Sequence, residues 1–144
     1  MRYISVLLSI VMLFFSSCGT TGHIAFYKFE VNKYEVEKEI LNIVNRDSIF
    51  IVPNKWIEHT KGDYFERIYI YFKRNPEELY QIGFTGDANE WKQSSSSKLG
   101  LISIYNGTLF QYETDLSNKE QARIQSRFEH EILSKIKYSY NKSN

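Results

Sequence analysis

One cysteine in 144 residues excludes an intramolecular disulfide and any cysteine-based metal cluster. The spacings His-x-x-x-His and Cys-x-x-Cys are both missing, so no zinc site is signalled. The seven glycines are scattered or sit in turns, and none belongs to a phosphate-cradling loop. No residue pattern calls for a cofactor. Charge of one sign is missing as well: 18 Lys and Arg face 17 Asp and Glu, for a formal net charge of +1. A field that recruits nucleic acid is therefore absent at the scale of the whole chain, and no nucleic-acid partner is expected. There is no internal repeat. Aromatic residues, by contrast, are plentiful: 11 Tyr and 10 Phe against 2 Trp. Such side chains suit pleated sheets.

The first 17 residues, MRYISVLLSIVMLFFSS, combine a positive start at Arg2 with an apolar stretch from residue 6 to residue 15. That stretch is too short for a membrane span, which needs about 20 apolar residues, and has the size of a signal-peptide core. The junction Phe15-Ser16-Ser17-Cys18-Gly19 resembles the lipobox of bacterial lipoproteins, with small residues before the cysteine and Phe15 at the place where the family usually has Leu. The resemblance covers residues 1–19 alone. It implies cleavage before Cys18, a Cys18 that carries lipid (diacylglycerol and palmitate) as the new N-terminus, and anchoring in the cell envelope. Gly19, where Asp commonly signals retention in the inner membrane, tilts the address toward the outer membrane. Two or three acyl chains anchor firmly where a single one binds reversibly. Loss of residues 1–17 removes one cation, Arg2, so the mature chain has 17 cations against 17 carboxylates.

The expected organisation is a signal peptide over 1–17, a lipidated tether over 18–24 and one globular domain over 25–144. Asn32 followed by Glu35 makes a capping-box start, and Val36, Ile40, Leu41 and Val44 recur at helical spacing, which predicts a helix ending near Asn45. Strands are predicted over 48–52, 64–74, 79–85, 99–105 and 109–114. Asn75-Pro76 breaks the second, and Asn106-Gly107 predicts a tight type I′ hairpin turn between the last two. Asn106 also opens a formal N-glycosylation sequon, which the hairpin turn explains without a glycan. The serine tract 94–97 is predicted to be a loop. Ser117 with Glu120 opens a second helix, whose Ile124, Phe128, Ile132 and Ile136 line one face. The tail after Tyr140 is expected to fray. The fold class is therefore α+β: a two-layer sandwich with a mostly antiparallel sheet of four to five strands and both helices, N-terminal and C-terminal, on one face.

Strand alternation assigns the two faces. Ile68, Ile70, Phe72, Tyr80, Ile82, Phe84, Ile102 and Ile104 are expected beneath the helices. Arg67, Tyr69, Tyr71, Gln81, Ser103 and Tyr105 are expected on the other side, where tyrosine rings and polar groups would offer a binding face. Glu58, His59 and Asp63 form the one cluster with acid–base chemistry, which would serve a small envelope hydrolase. His23 falls in the tether and His130 on a charged helix face. Trp56, Trp91 and the sheet tyrosines are the candidates for glycan contact. Asp47-Ser48-Ile49 resembles an O-glycosylation site of exported proteins, with Ser48 as acceptor. The leading expectation is a non-enzymatic binding or assembly module of the envelope, with an immunity-type inhibitor as a special case. Its partners would be the membrane, through lipid on Cys18, and an envelope protein.

Overall fold

The computed structural model describes residues 22–62 and 65–143. Cys18 and Asp63 lie outside the described residues. The fold is α+β: six antiparallel strands form one open sheet, with α-helices packed on it. The strands are β1 (Ala25–Phe29), β2 (Arg67–Phe72), β3 (Glu78–Phe84), β4 (Ser97–Tyr105), β5 (Phe110–Tyr112) and β6 (Tyr140–Ser143). Their order is β2-β3-β4-β1-β6, and β5 also pairs with β4. β1 runs beside the first half of β4 (Ala25 opposite Leu101), and β5 beside its end (Tyr105 opposite Phe110).

The first helix, α1 (Lys33–Arg46), starts as its sequence predicts: the Asn32 side chain accepts from the Tyr34 N–H at 2.9 Å. The Asn32 amide also donates to the Trp91 and Ser94 carbonyls, which ties the helix start to a distant loop. Val36, Ile40 and Val44, four residues apart, form its buried stripe. A short helix, α2 (Ala88–Gln93), is capped reciprocally by Asp87 and Glu90. The last helix, α3 (Asn118–Glu131), is capped by Ser117, whose hydroxyl accepts from the Glu120 N–H. Val36, Ile40, Ile124 and Phe128 join Tyr27, Phe29, Ile70, Phe72, Tyr80, Ile82, Leu99, Leu101 and Ile104 in one core. Both long helices therefore cover the same sheet face.

The structure departs from the sequence expectations at several elements. Residues 48–52 form no strand; Ser48–Phe50 is a 3₁₀ turn capped by the Asp47 carboxylate, which accepts from the Ile49 N–H. A short apolar run cannot by periodicity alone be told from a helical segment. The α3 helix stops at Glu131, and a 3₁₀ turn (Leu133–Lys135) carries the chain on. Ile132, Leu133 and Ile136 still reach the core. The tail does not fray: β6 pairs with β1 from Tyr140 to Ser143. Ser97 belongs to β4 and not to a loop. The β4–β5 turn is not type I′, because Gly107 is its one residue with positive φ; the Asn106 side chain instead accepts from the Thr108 and Leu109 N–H groups. Packing begins earlier than the predicted domain start, since Ile24 is buried in the core and donates its N–H to Leu101.

One irregularity moves a side chain across the sheet. Gln81 pairs with Ser103, but Ile82 pairs with Leu101, so Ile102 is a bulge residue. Leu99, Leu101 and Ile104 face the helices. Ile102, expected there too, lies outside that core and lines a hollow with Gly83 and Arg67 on the opposite face.

Candidate functional site

The sheet face away from the helices divides into a sealed half and an open half. Tyr69, Tyr71 and Tyr105 do lie on this face, opposite Ile70 and Ile104, as the alternation predicts. They make no exposed patch, however. Pro53 holds the chain extended (φ −71°, ψ 153°) and begins a 3₁₀ segment, Asn54–Thr60, that lies across them. Trp56 meets Tyr71 and Tyr105 edge-on, with centroids 5.3 and 5.4 Å apart. His59 lies tilted on Tyr105 at 4.1 Å. Tyr71 and Tyr105 are left 5% and 7% exposed. The expectation of an open tyrosine surface therefore fails because a loop covers it, while the strand register is right.

The cover is pinned by charge. Lys55 pairs with Glu77 at 2.7 Å, and the Tyr71 hydroxyl donates to the same carboxylate. Lys55, then Tyr71, hold the Glu77 carboxyl below its ordinary range. Burial, with help from Glu77, pushes the Tyr71 phenol up to about 12. Beneath, the Ser103 hydroxyl donates to the Gln81 side chain at 2.6 Å, and the Gln81 amide donates to the Tyr69 oxygen at 2.9 Å.

The same cover disposes the hydrolase candidates apart. Glu58 is 79% exposed and pairs with Lys61 at 2.6 Å, while His59 turns inward to Tyr105. A general acid–base pair needs both groups within reach of one reacting atom. Trp56 is buried, so no sugar can stack on it. Ser48 is exposed at the start of its 3₁₀ turn, and His130 is exposed on α3. Among the described residues no group of three or more His, Cys, Asp or Glu could hold a metal ion.

The open half lies over β1, β3 and β4. Gly83 pairs directly with Gly100 across the β3–β4 ladder, so the floor lacks two side chains. A Cβ at Gly83 would stand 3.2 Å from Ile102, and one at Gly100 only 2.4 Å from the His23 ring. His23 stacks on Phe26, with centroids 4.4 Å apart. Lys98 lies 4.1 Å from the Phe26 ring centroid, and the Arg67 guanidinium 5.3 Å from that of Phe65. A hollow of about 290 Å³ opens between Phe65, Arg67, Gly83, Phe84, Trp91 and Ile102. Across Trp91 lies a second, of about 490 Å³, lined by Lys28, Thr85, Glu90, Ser94, Ser96 and Lys98. Trp91 is fixed between them: its indole N–H donates to the Thr85 carbonyl at 2.8 Å, and the Lys33 ammonium sits 4.3 Å from the ring centroid. Lys33 itself is buried and paired with Glu37 and Glu66.

The strands bring Lys28, Arg67 and Lys98 to this half, and Glu66 and Glu90 line its two hollows. Glu30 pairs with Lys28 from outside the sheet. His23 registers the local field: burial first, then Arg67 and Lys98, keep its imidazole below the ordinary value of 6.5, against a smaller opposing pull from Glu113. The seated ring is thus favoured above pH 6.5 and loses that advantage as pH falls below it. Gly100→Ala should unseat the ring, and an NMR titration should then show the His23 pKa rising toward the ordinary value. An unchanged value would mean that the ring does not depend on the bare floor.

A buried charge network lies on the helical side. Glu78 receives both Arg123 and Arg127, and the Tyr80 hydroxyl donates to it at 3.1 Å. Arg127 also donates to the Pro76 and Arg74 carbonyls. This network fastens α3 to the β2–β3 turn. Burial and Glu78 push the Tyr80 phenol far up. Sequence reasoning missed it, as it missed Lys33 and the glycine pair; Glu78 follows Glu77 at the first position of β3, where the sequence does not tell it from a surface acid. Compared with family models, curated proteins and solved structures, the chain finds no match.

Proposed function

We propose that this chain is a lipid-anchored, non-catalytic binding module of the bacterial cell envelope, held at Cys18, with the outer membrane as its address. Its contact surface is the open half of the second sheet face, and its partner is a protein of the envelope. One observation carries the surface assignment: over the Gly83–Gly100 floor two hollows of about 290 and 490 Å³ open on either side of Trp91, with Phe65 70% exposed beside them. The anchor reading rests on the Ser16-Ser17-Cys18 junction behind a short apolar stretch. Among the described residues no helix is long and apolar enough to cross a membrane.

Metabolic labelling with an alkyne fatty acid tests the anchor. The expected result is labelled protein in the membrane fraction and complete loss of label in Cys18→Ala. Equal labelling of both proteins would overturn the lipoprotein reading.

A further inference from the structure

We propose that the hollow around the start of β1 is a saccharide site, which takes a neutral polyhydroxylated ring. The proposal goes beyond the surface described above and does not depend on the lipid. The hollow has a volume of about 600 Å³, within the range of small-molecule sites. Its walls come from elements far apart in sequence: the chain entering β1, the 3₁₀ turn Glu113–Asp115, α3 through Gln121 and Gln125, and the end of β6. Ser143 is the strongest single sign. Its Oγ is buried and has no hydrogen-bond partner among the described residues. Leaving a buried hydroxyl unpaired is costly, so such a group calls for an explanation. Ser143 stands opposite Phe26 in the β1–β6 ladder, and both line the hollow.

The other polar groups are set to accept. Gln125 donates its Nε2 to the Ile24 carbonyl at 2.7 Å. Gln121 donates its Nε2 to the Glu113 and Leu116 carbonyls at 3.0 and 3.2 Å. Each amide is thereby fixed with its Oε1 to spare. The Glu113 carboxylate lies against Gly22, where a Cβ would collide with it, and joins no ion pair among the described residues. Three acceptors beside a hydroxyl suit a ligand that brings several O–H donors. Charge argues for a neutral one. Arg67 and Lys98 oppose Glu113 in the field at His23, and Lys142 is committed to Glu129. Ile24, Ala25 and Phe26 supply the apolar part of the wall, against which the C–H groups of a sugar ring pack.

Purified full-length protein would be titrated with glucose, N-acetylglucosamine, cellobiose and myo-inositol, and with cyclohexanol as a ring that lacks the hydroxyl pattern. NMR signals of the His23 ring, the Gln125 side-chain amide and the Ser143 N–H report on the hollow. The expected result is a saturable shift of these signals by at least one of the polyols and none by cyclohexanol, because a site built for hydroxyls rejects an analogue without them. Glu113→Ala should weaken binding about tenfold or more, as loss of a charged acceptor does. Ser143→Ala should also weaken binding, yet leave thermal stability unchanged or raised, because it removes an unpaired hydroxyl. A purely structural serine would not separate the two readings. If no polyol moves the signals, or if both variants bind as the parent does, the proposal falls. If putrescine or calcium moves them and the polyols do not, the hollow is a cation site and the saccharide reading falls as well.

Discussion

Glu78→Ala should cost about 3–5 kcal/mol in urea unfolding, near the lower end because Arg123 keeps access to water. The reason is asymmetry. Removing the acid leaves Arg127 nearly buried with no carboxylate at that spot and strips the Tyr80 hydroxyl of its acceptor. Arg127 retains the Pro76 and Arg74 carbonyls and Glu131, which cannot neutralise it as well as two carboxylates do. Arg123→Met should cost much less, since it leaves the Glu78–Arg127 pair in place. Glu78→Gln should fall between the two: shape and one acceptor remain, but the charge is gone. A loss below 1 kcal/mol for Glu78→Ala would mean that water satisfies the arginines and that the network contributes packing alone.

Trp56→Ala should cost about 3–5 kcal/mol as well, as expected for a buried tryptophan cut to a methyl group. The neighbours cannot close the gap, because Tyr71 and Tyr105 meet the indole edge-on from a rigid sheet. A second reading distinguishes uncovering from general unfolding. With the indole gone, water reaches Tyr71, and its phenol should titrate closer to 10 than to about 12. Ultraviolet titration, with Tyr71→Phe subtracted, measures this. The sign for the parent protein follows: the folded state holds the Tyr71 proton more tightly than the unfolded chain, so stability declines as pH rises from 10 toward 12. Unchanged titration in Trp56→Ala would show that Glu77, and not the covering loop, governs Tyr71.

Periodicity made the helices and most of the sheet readable. Val36, Ile40 and Val44 announce α1 through their spacing, and Asn32 and Ser117 mark where the helices begin, because caps answer to local backbone chemistry. Elements held by tertiary pairing were the ones missed. β1 is five residues long and pairs with both β4 and β6, and β6 is largely polar; each is a strand because of the neighbours beside it. The Ile102 bulge left no mark in the chain, since alternating residues look the same with or without an extra one. The candidate site was half legible. Alternation correctly put Arg67 and the tyrosines on one face, but burial of those tyrosines depends on where residues 54–60 land, which no local rule decides. The Gly83–Gly100 floor arises only when two strands meet in one register.

The placement of β1 also sets a timetable. Its neighbours are β4, about seventy residues downstream, and β6, the last strand of the described chain. A ribosome or a translocation channel delivers residues in order, so the first strand emerges with nothing to pair with. The β2–β3 hairpin, whose two strands lie close together in sequence, can form long before. Until β4 and β6 arrive, Tyr27 and Phe29 are apolar surface without a sheet, and a chaperone that recognises aromatic segments would find its target there.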